Sequence, residues 1–125
     1  MTTTTTQTQT AVHHRWSEIP AERMGSLIKR RFITGERMTV AHFDLTRAAS
    51  VQQHTHEPEE MFCVIKGSAK VTINGEEFIV RAGELMQIPS GVPHQMEALE
   101  DAEVLDIFSP IRQDWLNKTD SYYQR

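Results

Sequence analysis

From about residue 27 onward the chain is a series of short β-forming runs, each closed by a turn signal, with no amphipathic helix among them. Leu27–Ile33 and Met38–Leu45 flank the turn Thr34-Gly35-Glu36. Val51–His56 and Glu60–Ile65 follow, the latter closed by Lys66-Gly67. Ala69–Ile73 and Glu77–Val80 are joined by Asn74-Gly75, the strongest short hairpin signal in a sequence. Leu85–Ile88, His94–Leu99 and Val104–Phe108 complete the series. Short strands at this spacing predict an all-β chain, either an antiparallel sandwich or a closed barrel. Only Ile111 to Leu116, after Pro110, reads as a short helical turn.

At 125 residues the chain is long enough for one hydrophobic core. Residues 2–10 contain no apolar side chain, so residues 1–15 are expected to be a disordered Thr-rich tail and residues 16–125 a single domain. His13 and His14 close that tail and read as solvated. The 13 basic and 17 acidic residues are dispersed, for a net charge of −4, which argues against a nucleic-acid partner. Cys63 is the sole cysteine, so no internal disulfide forms, and its place in an apolar run suits a buried, inert thiol. Neither a spanning apolar run nor a signal-peptide pattern is present, and the expectation is a cytoplasmic protein with no membrane partner.

Polar residues of metal-ligand type gather at the strand ends. His54 and His56 stand at i and i+2, a spacing that puts two side chains on one face of an extended strand. Glu60 begins the next strand, and His94 opens a later one after the Gly/Pro-punctuated stretch Gly83 to Pro93. Three imidazoles and a carboxylate suit one divalent transition metal, and the set admits Mn, Fe, Co, Ni, Cu or Zn alike. His42, alternating with Val40 and Asp44, reads as a surface or rim residue outside this set. Glu60, Phe62 and Val64 share one strand face and Met61, Cys63 and Ile65 the other. Val104–Phe108 is likewise apolar on both sides. Strands apolar on both faces in so small a barrel imply a covering partner, most simply a homodimer. Asp106 lies with Val104 and Phe108; facing inward it would be desolvated and suited to proton transfer, facing outward merely solvated. Arg112 could clamp a substrate carboxylate, and Gln53 and Gln87 are candidates for the mouth of the site.

His54-x-His56-x3-Glu60-x6-Gly67 and Gly83-x5-Pro89-x-Gly91-x2-His94 resemble the two motifs of the cupin superfamily. The resemblance implies a double-stranded β-helix, or jelly roll, with the metal held by His54, His56, Glu60 and His94. One position departs from it: Ala98 stands where the family often has asparagine. At Glu60, one type within the superfamily commonly uses glutamine instead. A carboxylate at position 60 lowers the net charge of the site and weakens its Lewis acidity. The segment Leu99–Trp115, with Asp106-x-Phe108-x-Pro110-x-Arg112, is similar to the tail of KdgF-type cupins, as is the stretch from Gly25 to His42. That type ketonizes unsaturated uronates from pectin and alginate breakdown. The resemblance implies active-site roles for Asp106, Phe108 and Arg112 and a sugar-acid substrate. Two other functions stay compatible with the residues: an Fe(II)-dependent cupin dioxygenase, and a non-catalytic small-molecule-binding or sensory cupin.

Overall fold

The computed structural model describes residues 10–122. The Thr-rich run thus falls almost wholly outside the described residues; Thr10 to Arg15 are exposed and without regular structure. Among the described residues a 3-10 turn at Trp16–Glu18 is followed by ten strands and one helix. The strands are β1 (Glu22–Arg23), β2 (Ile28–Thr34), β3 (Thr39–Leu45), β4 (Ser50–His54), β5 (Glu59–Lys66), β6 (Ser68–Ile73), β7 (Glu76–Arg81), β8 (Leu85–Ile88), β9 (His94–Ala98) and β10 (Ala102–Ser109), and the helix is α1 (Gln113–Asn117). Each strand expected from the sequence is present, with ends displaced by a residue or two. Two-residue β1, a short edge, has no sequence pattern of its own.

Two antiparallel sheets face each other, one of six strands in the order β1-β2-β3-β10-β5-β8 and one of four in the order β4-β9-β6-β7. This is the double-sheet jelly roll. Inward-facing Ala41, Phe43, Leu45, Phe62, Val64, Val71 and Val104 are buried between the sheets. Asn74 and Gly75 both adopt positive φ (52° and 87°), the mirror-image turn whose twist matches a two-residue hairpin between β6 and β7. Gly67, at φ +81°, makes a tighter demand: a Cβ there would lie 2.3 Å from the Asp101 carbonyl oxygen. Helix α1 lays Trp115 into one end of the core, edge-on to Phe32, Phe43 and Phe108 at 5.2, 6.1 and 5.1 Å between ring centroids.

One expectation needs correction. His42 does lie on the outer face of β3, away from the other histidines' cluster, but it is buried. The N-terminal segment covers it: the Trp16 ring sits 5.6 Å from its imidazole, and Glu103 meets its Nε2 at 2.6 Å. Alternation finds the face of a strand but not what later packs over it. On the same outer surface Met61 and Cys63 are half-buried and Ile65 is exposed.

Candidate metal centre

The strand order brings three separate stretches of chain to one end of the barrel. His54 and His94 are paired directly across β4 and β9. Between Val51, opposite Met96, and this pair, β4 advances by one residue more than β9, which is a β-bulge. The bulge decides which side chain looks inward. Strict alternation from Val51 would aim Gln53 at the interior; the extra residue turns Gln53 out to solvent and His54 in. His56 lies just beyond β4, where its carbonyl accepts the Gly91 N–H and ties the two motif loops together.

The imidazole ligand atoms of His54, His56 and His94 all lie within 4.8 Å of one another. Each Nδ1 is spoken for by a nearby backbone carbonyl: Gln52 at 2.7 Å, Pro58 at 2.8 Å and Val92 at 2.8 Å. An Nδ1–H donated to a carbonyl selects the tautomer that leaves Nε2 as a bare lone pair, the form that binds metal. Burial, helped by the neighbouring histidines, pushes His54 down to about 4, so it resists protonation. The Glu60 Oε1 lies 3.1 Å from His56 Nε2 and 3.3 Å from His94 Nε2. Burial alone would raise the Glu60 carboxyl, but bonding from His56, His94 and Asp106 holds it far below the usual carboxylate range. A buried anion facing imidazole lone pairs needs a cation between them, either protons on the rings or a metal. The donor set fits a divalent transition metal held by the three histidines with Glu60 beside them.

Asp106 resolves to the inward orientation. It is 6 % exposed, and its Oδ1 has no hydrogen-bond partner among the described residues. Burial first, then the charge and hydrogen bond of Glu60, raise its carboxyl well above the ordinary aspartate value, against the pull of Arg112. The two carboxyls are thus driven apart, Asp106 toward its protonated form and Glu60 toward its ionised form. His54, Glu60, His94, Asp106, Phe108 and Arg112 line one cavity of about 40 Å³. Phe108 is wedged between the His56 ring, edge-on at 5.6 Å, and the Arg112 guanidinium, 4.6 Å above its face. Gln87, by contrast, lies on the exposed side of β8 and donates to Glu59. Neither it nor Gln53 lines the cavity, a correction that follows from strand alternation at Gln87 and from the bulge at Gln53.

Arg112 is fully buried, and its Nε and Nη2 already donate to the Asp114 carboxylate at 3.0 and 2.8 Å. Although burial pushes the Asp114 carboxyl up, that guanidinium outweighs it and holds it below the usual carboxylate range. The Tyr122 hydroxyl joins the pair, accepting from Arg112 Nη2 and donating to Asp114 at 2.9 Å. The Tyr122 ring lies flat on His54, 4.0 Å between centroids and 10° from parallel. Asp114 and Tyr122 escaped sequence reasoning: Asp114 carries the ordinary signature of a helix first turn, and Tyr122 reaches the site only because the chain doubles back.

Residues 41–108 match the family described as the cupin domain, more than half of the sequence. The chain belongs to the cupin family. This cupin is 35% identical over 104 residues to the pectin degradation protein KdgF of Dickeya dadantii, covering 79% of this chain and 93% of that one. The solved structure of KdgF from Halomonas sp. superimposes with a TM-score of 0.79 at 26% identity, over 85% of this chain and 99% of its own. Oxalate decarboxylase OxdC of Bacillus subtilis is 38% identical over 85 residues, 63% of this chain but 22% of that longer protein. Together these make it a KdgF-like cupin. Among the described residues no helix is long and apolar enough to cross a membrane.

Proposed function

We propose that this cupin is a metal-dependent enzyme that opens 4,5-unsaturated monouronates to linear 4-deoxy-5-keto uronates. The observation that carries the reading is Asp106, a buried acid whose unpartnered Oδ1 belongs to the same cavity as the histidine cluster and Arg112. His54, His56 and His94 would hold one divalent metal with Glu60, and such an ion supplies orientation and polarisation of substrate oxygens. Asp106 keeps a proton beside Glu60 and delivers it to C4 as the C4=C5 bond becomes the C5 ketone. The ring C1–O bond breaks, the anomeric oxygen becomes the aldehyde, and the proton it releases restores Asp106. Atoms and electrons balance without a co-reactant. Phe108 and the Trp115 indole keep Arg112 in place, with the guanidinium 4.6 and 4.5 Å over their rings, where it draws the substrate carboxylate into the cavity.

The test is the loss of the conjugated ultraviolet absorbance of unsaturated galacturonate, or of its alginate-derived isomers, above spontaneous opening. Metal-loaded protein that does not accelerate this loss refutes the uronate reading. A second reading is favoured by the ligand set itself, since three histidines and a carboxylate also suit Fe(II). Oxygen uptake with any substrate would select that oxygenase reading, and a metal-loaded protein that turns over nothing across a substrate panel would select a binding or sensory role.

A further inference from the structure

The cavity of about 40 Å³ has room for roughly two or three waters. A sugar acid is several times larger, so the substrate proposed above needs more room than this space offers. The chain after α1 lies against two of its lining residues, His54 and Arg112. Lys118 ends the helix in the left-handed conformation, and the chain returns toward the barrel. Asp120 then anchors it through a buried ion pair with Arg30, Oδ2 to Nη1 at 2.9 Å. The Gln52 N–H donates to the Tyr122 carbonyl at 2.9 Å, so the returning chain is fastened to β4, the edge strand that ends in His54. The Tyr122 ring covers His54 while its hydroxyl occupies Arg112 and Asp114, and so it spans two residues that line the cavity.

We infer that Tyr122, carried on this C-terminal strap, is the gate of the site: a carboxylate-bearing small molecule enters by displacing the phenol from Arg112 and the ring from His54. The inference rests on reading the cavity as a sugar-acid site. The Arg30–Asp120 pair stays fixed, so the moving part is the end of the strap. Asp114 remains on Arg112 and keeps the guanidinium aimed while the phenol's place is taken by the incoming carboxylate. Tyr122 is thus a positioning residue that also sets the size of what is admitted.

The gate is tested on full-length, metal-free protein by diethyl pyrocarbonate, with the rate of carbethoxylation at each histidine read by mass spectrometry. His54 in Tyr122→Ala should react about 2- to 10-fold faster than in the wild type, the range that loss of one aromatic pair supports. Exposed His13 and His14 should be unchanged, and Tyr122→Phe, which keeps the ring, should restore part of the protection. Equal rates at His54 in wild type and Tyr122→Ala would overturn the proposal. A parallel rise at buried His42 would mark general unfolding; Asp120→Asn, which loosens the strap and leaves the ring intact, then supplies the same comparison, and an unchanged His54 rate there overturns it. The readout needs no uronate: faster His54 modification in a protein that leaves the uronate untouched upholds the gate and discards only the substrate.

Discussion

Replacing Asp106 with asparagine should stabilise the metal-free protein and silence its chemistry together. In the folded chain burial and the adjacent Glu60 raise the Asp106 carboxyl well above the ordinary aspartate value, which favours keeping its proton. The unfolded chain releases that proton above about pH 4. Where the folded state binds more protons than the unfolded state, stability falls as pH rises. The loss begins near the unfolded value, about pH 4, and accumulates at about 1.4 kcal/mol per pH unit until the folded carboxyl itself ionises. Asp106→Asn carries no such loss, keeps the shape of the side chain and still offers an N–H to the Glu60 carboxylate. Its advantage should be near zero at about pH 4 and grow steadily toward neutrality, each kcal/mol raising Tm by about 4 °C. Thermal unfolding of both proteins, stripped with chelator and followed by circular dichroism across that range, measures it. With metal restored, Asp106→Asn should lose about 10²–10⁴ in turnover of unsaturated uronate, the usual contribution of a placed proton-transfer group. A stability difference that stays flat with pH would show that Asp106 is not held protonated. Unimpaired turnover would remove it from the chemistry.

The histidine cluster predicts close to one divalent metal per chain by elemental analysis of protein purified without chelator, and the His56→Ala, His94→Ala double variant should lose it; full occupancy there would refute the ligand set. Gly67→Ala should cost about 1–3 kcal/mol from its backbone conformation, and more from its approach to the Asp101 carbonyl, while leaving metal content intact; a denaturant midpoint matching the wild type would refute this. We further propose that the half-buried Met61 and Cys63 and the exposed Ile65 contribute to a two-fold dimer, so light scattering at micromolar concentration should give about twice the chain mass; a monomer mass would mean that this face is covered otherwise.

Much of the molecule is legible before any coordinates. The alternation Glu60-Phe62-Val64 against Met61-Cys63-Ile65 already separates core from surface, because successive side chains on a strand must point to opposite sides. Asn74-Gly75 announces its hairpin, because few residue pairs tolerate positive φ twice running. The candidate metal ligands are visible for a related reason: histidines and a carboxylate at strand ends, among apolar neighbours, are costly unless they serve a site. Where reading failed, the cause was a feature that local periodicity does not carry. The bulge in β4 exchanged Gln53 for His54 at the interior, and a one-residue insertion has no signature in a run of polar residues. His42 read as a rim residue because Trp16, which covers it, is remote in sequence.

The sequence by itself determined the all-β architecture, the two motif loops and the set of polar groups available for chemistry, since these follow from nearest-neighbour sterics, turn geometry and side-chain type. Only the tertiary structure decided that Asp106 faces Glu60, that Arg112 is already paired with Asp114, and that Tyr122 lies across His54. Those relations depend on how sheets and a returning chain pack at distances of a few ångströms. Contacts between segments remote in sequence are set by the whole core, and no local pattern encodes them.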